Sequence, residues 1–382
     1  MKYDYIISGA GCSGLSLLLR MIESGKFTDK KILVVDRALA PRNDRTWCFW
    51  EKEEGFFEPV VYRKWSELNF YGEQFESLLN IDPYTYKMIR GGDFYKYCFD
   101  IIKTTPNVEL KEGKVESVES LTDHAYVQVD GHRYESSYVF NSILFNNPQQ
   151  AKGRQYYFLK QHFKGWVIRT EQPVFNPSIA TLMDFRPSQE HGTTFAYVLP
   201  YSDNTALVEY TLFTRDLLKP EEYDAALKMY VENFVTKEKY SIVESEFGVI
   251  PMTNFPFRPY EGRVINIGTA GGQTKPSSGY TFQFIQKYTK NLVATMIATG
   301  QPLIAETTSN RFSFYDSTLL QILDRKKIEG KRLFTDLFRH GDVQTVLKFL
   351  DNETSFREDI NIMRRLPKGK FAMAAIREIF KV

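Results

Sequence analysis

The chain has 382 residues, 43% of them hydrophobic and 25% charged, with a formal net charge of +2. That composition specifies folded globular structure, two to three domains by length, and excludes wholesale disorder and the clustered basic surface of a nucleic-acid binder. Cys12, Cys48 and Cys98 are far apart and no histidine pair has metal-ligand spacing, which argues against a disulfide framework or a zinc site and fits a reducing cytoplasm.

Tyr3 to Ser8 is a β-rich run that ends in Gly9-Ala10-Gly11-Cys12-Ser13-Gly14. Leu15, Leu18, Leu19 and Ile22 follow at helical spacing, and Gly25 is placed to close that helix. Lys31 to Val35 predicts a second strand, with Asp36 at its end. The result is a parallel βαβ unit. Gly9 permits the tight turn, Gly11 lets backbone approach a pyrophosphate, and Gly14 lets helix and strand pack closely. Amides at the helix N-terminus supply donors for phosphate. Asp36, 22 residues beyond Gly14, stands where a ribose-binding acid is expected and argues against a 2′-phosphate. The motif alone does not choose between FAD and NAD.

Short strands are predicted over Asn107 to Val118, Ala125 to Val129 and Tyr134 to Asn141. Five β-rich runs follow: Tyr157 to Phe163, Trp166 to Arg169, Ile179 to Phe185, Thr193 to Leu199 and Thr205 to Phe213. Turns such as Pro200 to Asn204 separate some of them, which predicts an antiparallel sheet. Glu221 to Phe234 reads as a helix, and from Arg311 onward the chain is mostly helical. No stretch of 18 apolar residues occurs and no signal-peptide pattern is seen, so membrane contact is expected to be peripheral.

A second glycine cluster lies far downstream. Arg263 to Ile267 is a short apolar strand leading into Gly268-Thr269-Ala270-Gly271-Gly272, and Pro276-Ser277-Ser278-Gly279-Tyr280 opens a helical pattern that runs from Gly279 to about Thr299. Such a strand–glycine–helix element resembles that of FAD enzymes of the glutathione-reductase-like, hydroxylase-like superfamily. There the helix N-terminus faces the flavin edge that becomes negative on reduction. Thr269 stands where that superfamily usually carries Asp. The expected architecture is α/β: a Rossmann-like, glutathione-reductase-like FAD-binding domain from residues 1–150 and 255–300, an inserted antiparallel-sheet substrate domain at 151–254, and a helical C-terminal region at 301–382.

Several blocks in order resemble the bacterial-type lycopene β-cyclases over essentially the whole chain. They are Asn43-Asp-Arg45-Thr46-Trp47-Cys-Phe-Trp50; Gln161-His-Phe-Lys-Gly165-Trp166; Met183-Asp184-Phe185-Arg186; Tyr197-Val-Leu-Pro200 followed by Leu207-Val-Glu209-Tyr-Thr211; and the second glycine cluster with Pro276 to Tyr280. The resemblance implies closure of β-ionone rings on lycopene, by way of γ-carotene to β-carotene, with no net redox change. It also implies reduced FAD, with NADPH or NADH as electron source.

Ring closure needs a proton on a terminal C=C, attack by a neighbouring double bond, then proton loss. The donor should be a carboxylic acid held protonated by an apolar site. Alternation in the Thr205 to Thr211 run puts Leu207, Glu209 and Thr211 on one face. Sequence alone reads Glu209 as a surface charge, whereas the resemblance makes it the catalytic acid. Asp184 is a second candidate acid, set against an ion pair with Arg186. Many relatives carry His where Lys275 stands, so no role passes to that position, and His162 is expected to be structural. Arg45 and Thr46 are placed to reach the cofactor and Arg90 its phosphates, beside the alternative of surface ion pairs for both arginines. The cofactor set is then Gly9, Gly11, Gly14, Asp36, Arg45, Thr46, Arg90, Gly268, Thr269, Gly271, Gly272, Ser278, Gly279 and Tyr280.

Carotenoids live in the bilayer. Phe371, Ala375, Ile376, Ile379 and Phe380 form one side of a basic amphipathic tail that either lies on anionic lipid or docks on the protein. The expected location is cytoplasmic and peripheral to the membrane. Rival readings on the same scaffold are an FAD monooxygenase, a geranylgeranyl-reductase-like enzyme acting on an isoprenoid, and a non-catalytic carotenoid or flavin carrier.

Overall fold

The computed structural model describes residues 2–145, 149, 156–303 and 310–380. The expected change between residues 150 and 151 falls outside them. The first strand, Lys2–Ser8, is the centre of an eight-stranded sheet because its apolar residues face packing on both sides. It pairs in parallel with Ile32–Asp36 on one flank and His132–Asn141 on the other. Val108–Glu112 and Val264–Asn266 extend the parallel order outward. A strand drawn from residues 264–266 therefore completes the same sheet as the N-terminal βαβ unit. The Cys12–Glu23 helix packs its Leu15, Leu18 and Leu19 stripe against this sheet and against the Phe282–Thr299 helix.

A second sheet has seven strands in the order Tyr240–Thr253, Phe158–Thr170, Thr205–Thr214, Thr193–Pro200, Ile179–Asp184, Glu67–Gly72 and Phe75–Asn80. It is antiparallel apart from the Ile179–Asp184 pairing with Glu67–Gly72. Two predicted runs, either side of Lys164-Gly165, merge into the single Phe158–Thr170 strand because Gly165 continues the ladder. The fourteen-residue strand Tyr240–Thr253 and the 67–80 hairpin went unassigned in the sequence. The first carries exposed apolar residues on an edge and shows no clean alternation.

One face of this sheet packs Leu207, Phe213, Phe195 and Phe185 against the C-terminal helix Gly330–His340 through Leu333, Phe334 and Leu337. The other face packs Ala206, Val208, Tyr210 and Leu212 under the Pro220–Tyr230 helix. A small sheet of Thr46–Glu51, Thr85–Arg90 and Arg63–Trp65 lies between the two large ones. Its first strand alternates cleanly. Trp47 and Phe49 turn toward Phe94 and Phe282 in the first core, and Thr46, Cys48 and Trp50 turn the other way.

Candidate active site

The two glycine elements meet. Gly268 sits so close to the first helix that a Cβ there would lie 2.6 Å from Ser13 Oγ, and its φ of +64° suits glycine. At Gly14 a Cβ would lie 2.1 Å from the carbonyl oxygen of Gly9, so only glycine allows strand and helix this approach. A Cβ at Gly11 would meet nothing within 4 Å, which leaves open space in front of the turn. Asp36 accepts from the backbone amides of Ala10 at 2.7 Å and Ala38 at 3.1 Å, so it shapes the turn.

In the second element Gly268–Gly271 forms one turn of 3₁₀ helix, with Gly272 next to it. Thr269 Oγ1 bonds Thr274 Oγ1 at 3.1 Å, a contact inside the loop. The following helix begins at Phe282, three residues later than the pattern predicts, because Gly279 adopts a positive φ and Lys275–Gly279 closes as a turn. Gly279 lies against Gln161 of the seven-stranded sheet. Ser278 Oγ, Gln273 Oε1 and Gln161 Oε1 are buried in this region without a hydrogen-bond partner. Buried polar atoms demand one. An open cradle at a helix N-terminus beside orphaned donors and acceptors fits a dinucleotide with a polar ring edge, as FAD has. No cluster of metal-ligating side chains occurs among the described residues.

Glu209 lies on the face predicted for it, with Leu207 and Thr211. In register across the strands it stands opposite Tyr197 on one side and Gly165 on the other, and beyond Gly165 comes Glu246. Thr211 Oγ1 donates to Glu209 at 2.7 Å, and Thr46 Oγ1 donates to Glu246 at 2.8 Å. Tyr280 packs edge-on to Trp50 and lies close to the phenol of Tyr197. Burial, then the charge of Glu246, pushes the Glu209 carboxyl up to about 8, and burial also raises Glu246. Thr46, Cys48, Glu209, Glu246 and Tyr280 are each partly exposed.

The other candidates lie elsewhere. Asp184 is fully buried on the opposite face, where it accepts from Tyr230 at 2.7 Å and from the guanidinium and backbone amide of Arg186. His162, also on that side, is held between Thr214 and Tyr223, and burial drives it down to about 4. Arg45 pairs with Asp44 at 2.9 Å, near Cys12 at the start of the first helix. Arg90 forks onto Asp93 and stacks over Tyr62. Thr46, read as a cofactor contact, spends its hydroxyl on Glu246. Lys275 is buried against Asp316 at 2.9 Å and Asn352 at 2.6 Å, an anchor for the 275–280 loop. Sequence reading missed Glu246. The Tyr240–Thr253 segment offers no strand pattern along its full length, so the sequence does not assign the face of Glu246.

A family model described as "Lycopene cyclase protein" matches residues 4–377. A search of curated proteins finds no significant match. Among solved structures the chain is similar to a geranylgeranyl bacteriochlorophyll reductase-like protein from Thermoplasma acidophilum, at 12% identity over 97% of this chain and 98% of that one, TM-score 0.63. It is also similar to a flavoprotein/dehydrogenase from Cytophaga hutchinsonii, at 12% identity over all of both chains, TM-score 0.65. A third is p-nitrophenol 4-monooxygenase from Pseudomonas putida, at 12% identity over 95% and 96%, TM-score 0.58. These likenesses establish a flavoprotein fold.

Proposed function

The chain belongs to the lycopene cyclase family, and from that premise we propose that it closes the ψ-ends of lycopene into β-ionone rings, with FAD bound in reduced form and NADPH or NADH as electron source. The observation that carries this reading is Glu209, a partly exposed carboxyl that burial and Glu246 push up to about 8, in register with Tyr197 and close to Tyr280 of the 275–280 loop. Its proton adds to the terminal C=C. The neighbouring double bond attacks the resulting cation to form the ring bond, and a ring proton then leaves. Atoms and electrons balance without oxidant or reductant. Gly9, Gly11, Gly14 and Asp36 would hold the pyrophosphate and ribose, and Gly268, Gly271, Gly272, Ser278 and Gly279 the ring end. Reduced FAD supplies an electron-rich surface beside the developing cation. Tyr197 and Tyr280 add aromatic faces that favour positive charge and exclude water.

An apolar cavity of about 370 Å³ between the C-terminal helices supports an isoprenoid substrate. Phe334, Leu337, Phe349, Leu366 and Phe371 line it, and its inner end reaches Ser277 and Ser278. The Lys368–Phe380 helix forms part of its wall through Phe371, Ala372 and Ala375. That helix docks with Phe371 and Ala374 inward while Met373, Ile376, Ile379 and Phe380 stay exposed, Phe380 at 69%. The two readings of the tail are therefore compatible. No helix among the described residues is long and apolar enough to cross a membrane. The exposed row with Arg364, Arg365 and Arg377 suits the surface of an anionic bilayer. Vesicle flotation should fall about tenfold when Ile376 and Ile379 are both changed to Glu, since each loses its apolar burial.

Expression in a lycopene-producing bacterium, read by chromatography and mass, tests the activity. Cyclic products of unchanged mass are expected. Gain of oxygen or hydrogen, or no conversion by flavin-loaded protein supplied with reductant, would overturn it.

A further inference from the structure

We propose that Glu246 is a positioning residue for Glu209: the two carboxyl groups, brought together across Gly165, share a single proton, and Glu246 holds that proton in place for transfer. The inference rests on the reading of Glu209 as the acid.

Register supplies the first argument. Gly165 stands opposite Glu209 on one neighbouring strand and opposite Glu246 on the other. Residues in line across three adjacent strands project from one face. Two strand spacings separate the glutamate backbones by about 10 Å, a gap that two glutamate side chains span when the residue between them has none. A Cβ on Gly165 would lie 3.0 Å from Cγ of Glu246 and 2.9 Å from Cδ1 of Leu207, so the room above the glycine is already used by that glutamate.

The hydrogen-bond inventory supplies the second. Thr211 serves one carboxyl and Thr46 the other. Oε1 of Glu246 is sealed from solvent and receives no N–H or O–H from any described residue. What faces it across Gly165 is the Glu209 carboxyl. A carboxylate has nothing to donate, so the contact becomes a bond only when one of the pair is protonated.

The surrounding charges supply the third. Cys48, Tyr197 and Tyr280 carry no positive charge and face Glu209, while Glu244 and Asp44 stand outside Glu246. Among the described residues no cation acts on Glu209. Two bare anions here have no counter-charge, and one proton between them relieves both. Burial and the charge of Glu246 favour the proton on Glu209, which leaves Glu246 the acceptor. One proton leaves Glu209 for the terminal carbon, and one is lost from the ring at the end. Return of that second proton restores the pair.

Glu246→Gln in the full-length, flavin-loaded protein is the test. The basic limb of the kcat/KM profile should move down by about one pH unit, because the like charge that raises Glu209 is gone. Activity well below the limb should fall about fivefold, because the proton loses the carboxylate that holds it in place. Infrared titration without substrate gives a second readout. A protonated-carboxyl band present in the wild type should vanish in Glu209→Gln and titrate at lower pH in Glu246→Gln. If Glu246→Gln fails to fold, Glu246→Asp keeps the charge but withdraws it by one methylene, and its limb and band should move the same way by less. A limb and band that stay at the wild-type pH overturn the pair while Glu209→Gln remains inactive. Wild-type turnover by Glu209→Gln overturns the reading of the acid itself.

Discussion

Glu209 and Asp184 lie on opposite faces of one sheet, both among packed aromatic side chains, and are held in opposite ways. Asp184 receives a guanidinium, a backbone amide and a phenol, so its charge is fully matched. Glu209 receives one threonine hydroxyl and faces another acid. Burial of a carboxyl is common to both and decides nothing alone. The partner set decides. A matched carboxylate is structural, and breaking such a pair leaves an uncompensated charge. A carboxyl denied cations keeps its proton and has it available to give away.

The comparison breaks first at Glu209. Glu209→Gln should lower the cyclisation rate about a thousandfold, within the range for loss of a general acid, while the flavin absorbance and Tm stay near wild type. Equal activity would end the contrast. A second effect comes with pH. As the proposed acid, Glu209 would act when protonated, so wild-type rates should be flat below about pH 8 and fall above it, about tenfold for each further pH unit. Initial rates across buffers check the sign: a rate that rises through pH 8 would mean that the charged form is the active one. The smallest effect on turnover belongs to Asp184→Asn. It should destabilise the fold by about 2 kcal/mol, less than a wholly buried pair because Arg186 keeps partial solvent access. Denaturant unfolding measures that loss, and turnover per folded, flavin-loaded molecule should stay within about twofold.

Much of this contrast was legible in the sequence, and the missing part has a physical reason. The βαβ unit, Asp36 and the second glycine cluster announce themselves because tight backbone approach admits only glycine, a local requirement. The face of Glu209 follows from strict alternation in a strand buried on both sides. Pairing of Asp184 with Arg186 is also local, since the two are two residues apart. The juxtaposition of Glu209 with Glu246 is not local. It depends on register between three strands and on an edge strand whose apolar residues point outward, Ile242, Phe247 and Val249 among them. Thr46 reads in the sequence as a cofactor contact, and in the fold its hydroxyl donates to Glu246. Its strand alternates as expected, yet the surface its hydroxyl meets is set by tertiary packing. The 67–80 hairpin joins the far sheet for a similar reason: its destination is fixed by the partner strand Ile179–Asp184.

The seat of Gly268 against Ser13 also bears on how the molecule is made. Those residues are 255 positions apart, and the strand that delivers Gly268 is the last parallel member of the N-terminal sheet. At about 5–20 residues per second, a ribosome takes roughly 13–50 s to travel from one to the other. For that interval a nascent chain has the Gly9–Gly14 turn and the first helix without the segment that seats against Ser13, so this contact closes only late in synthesis.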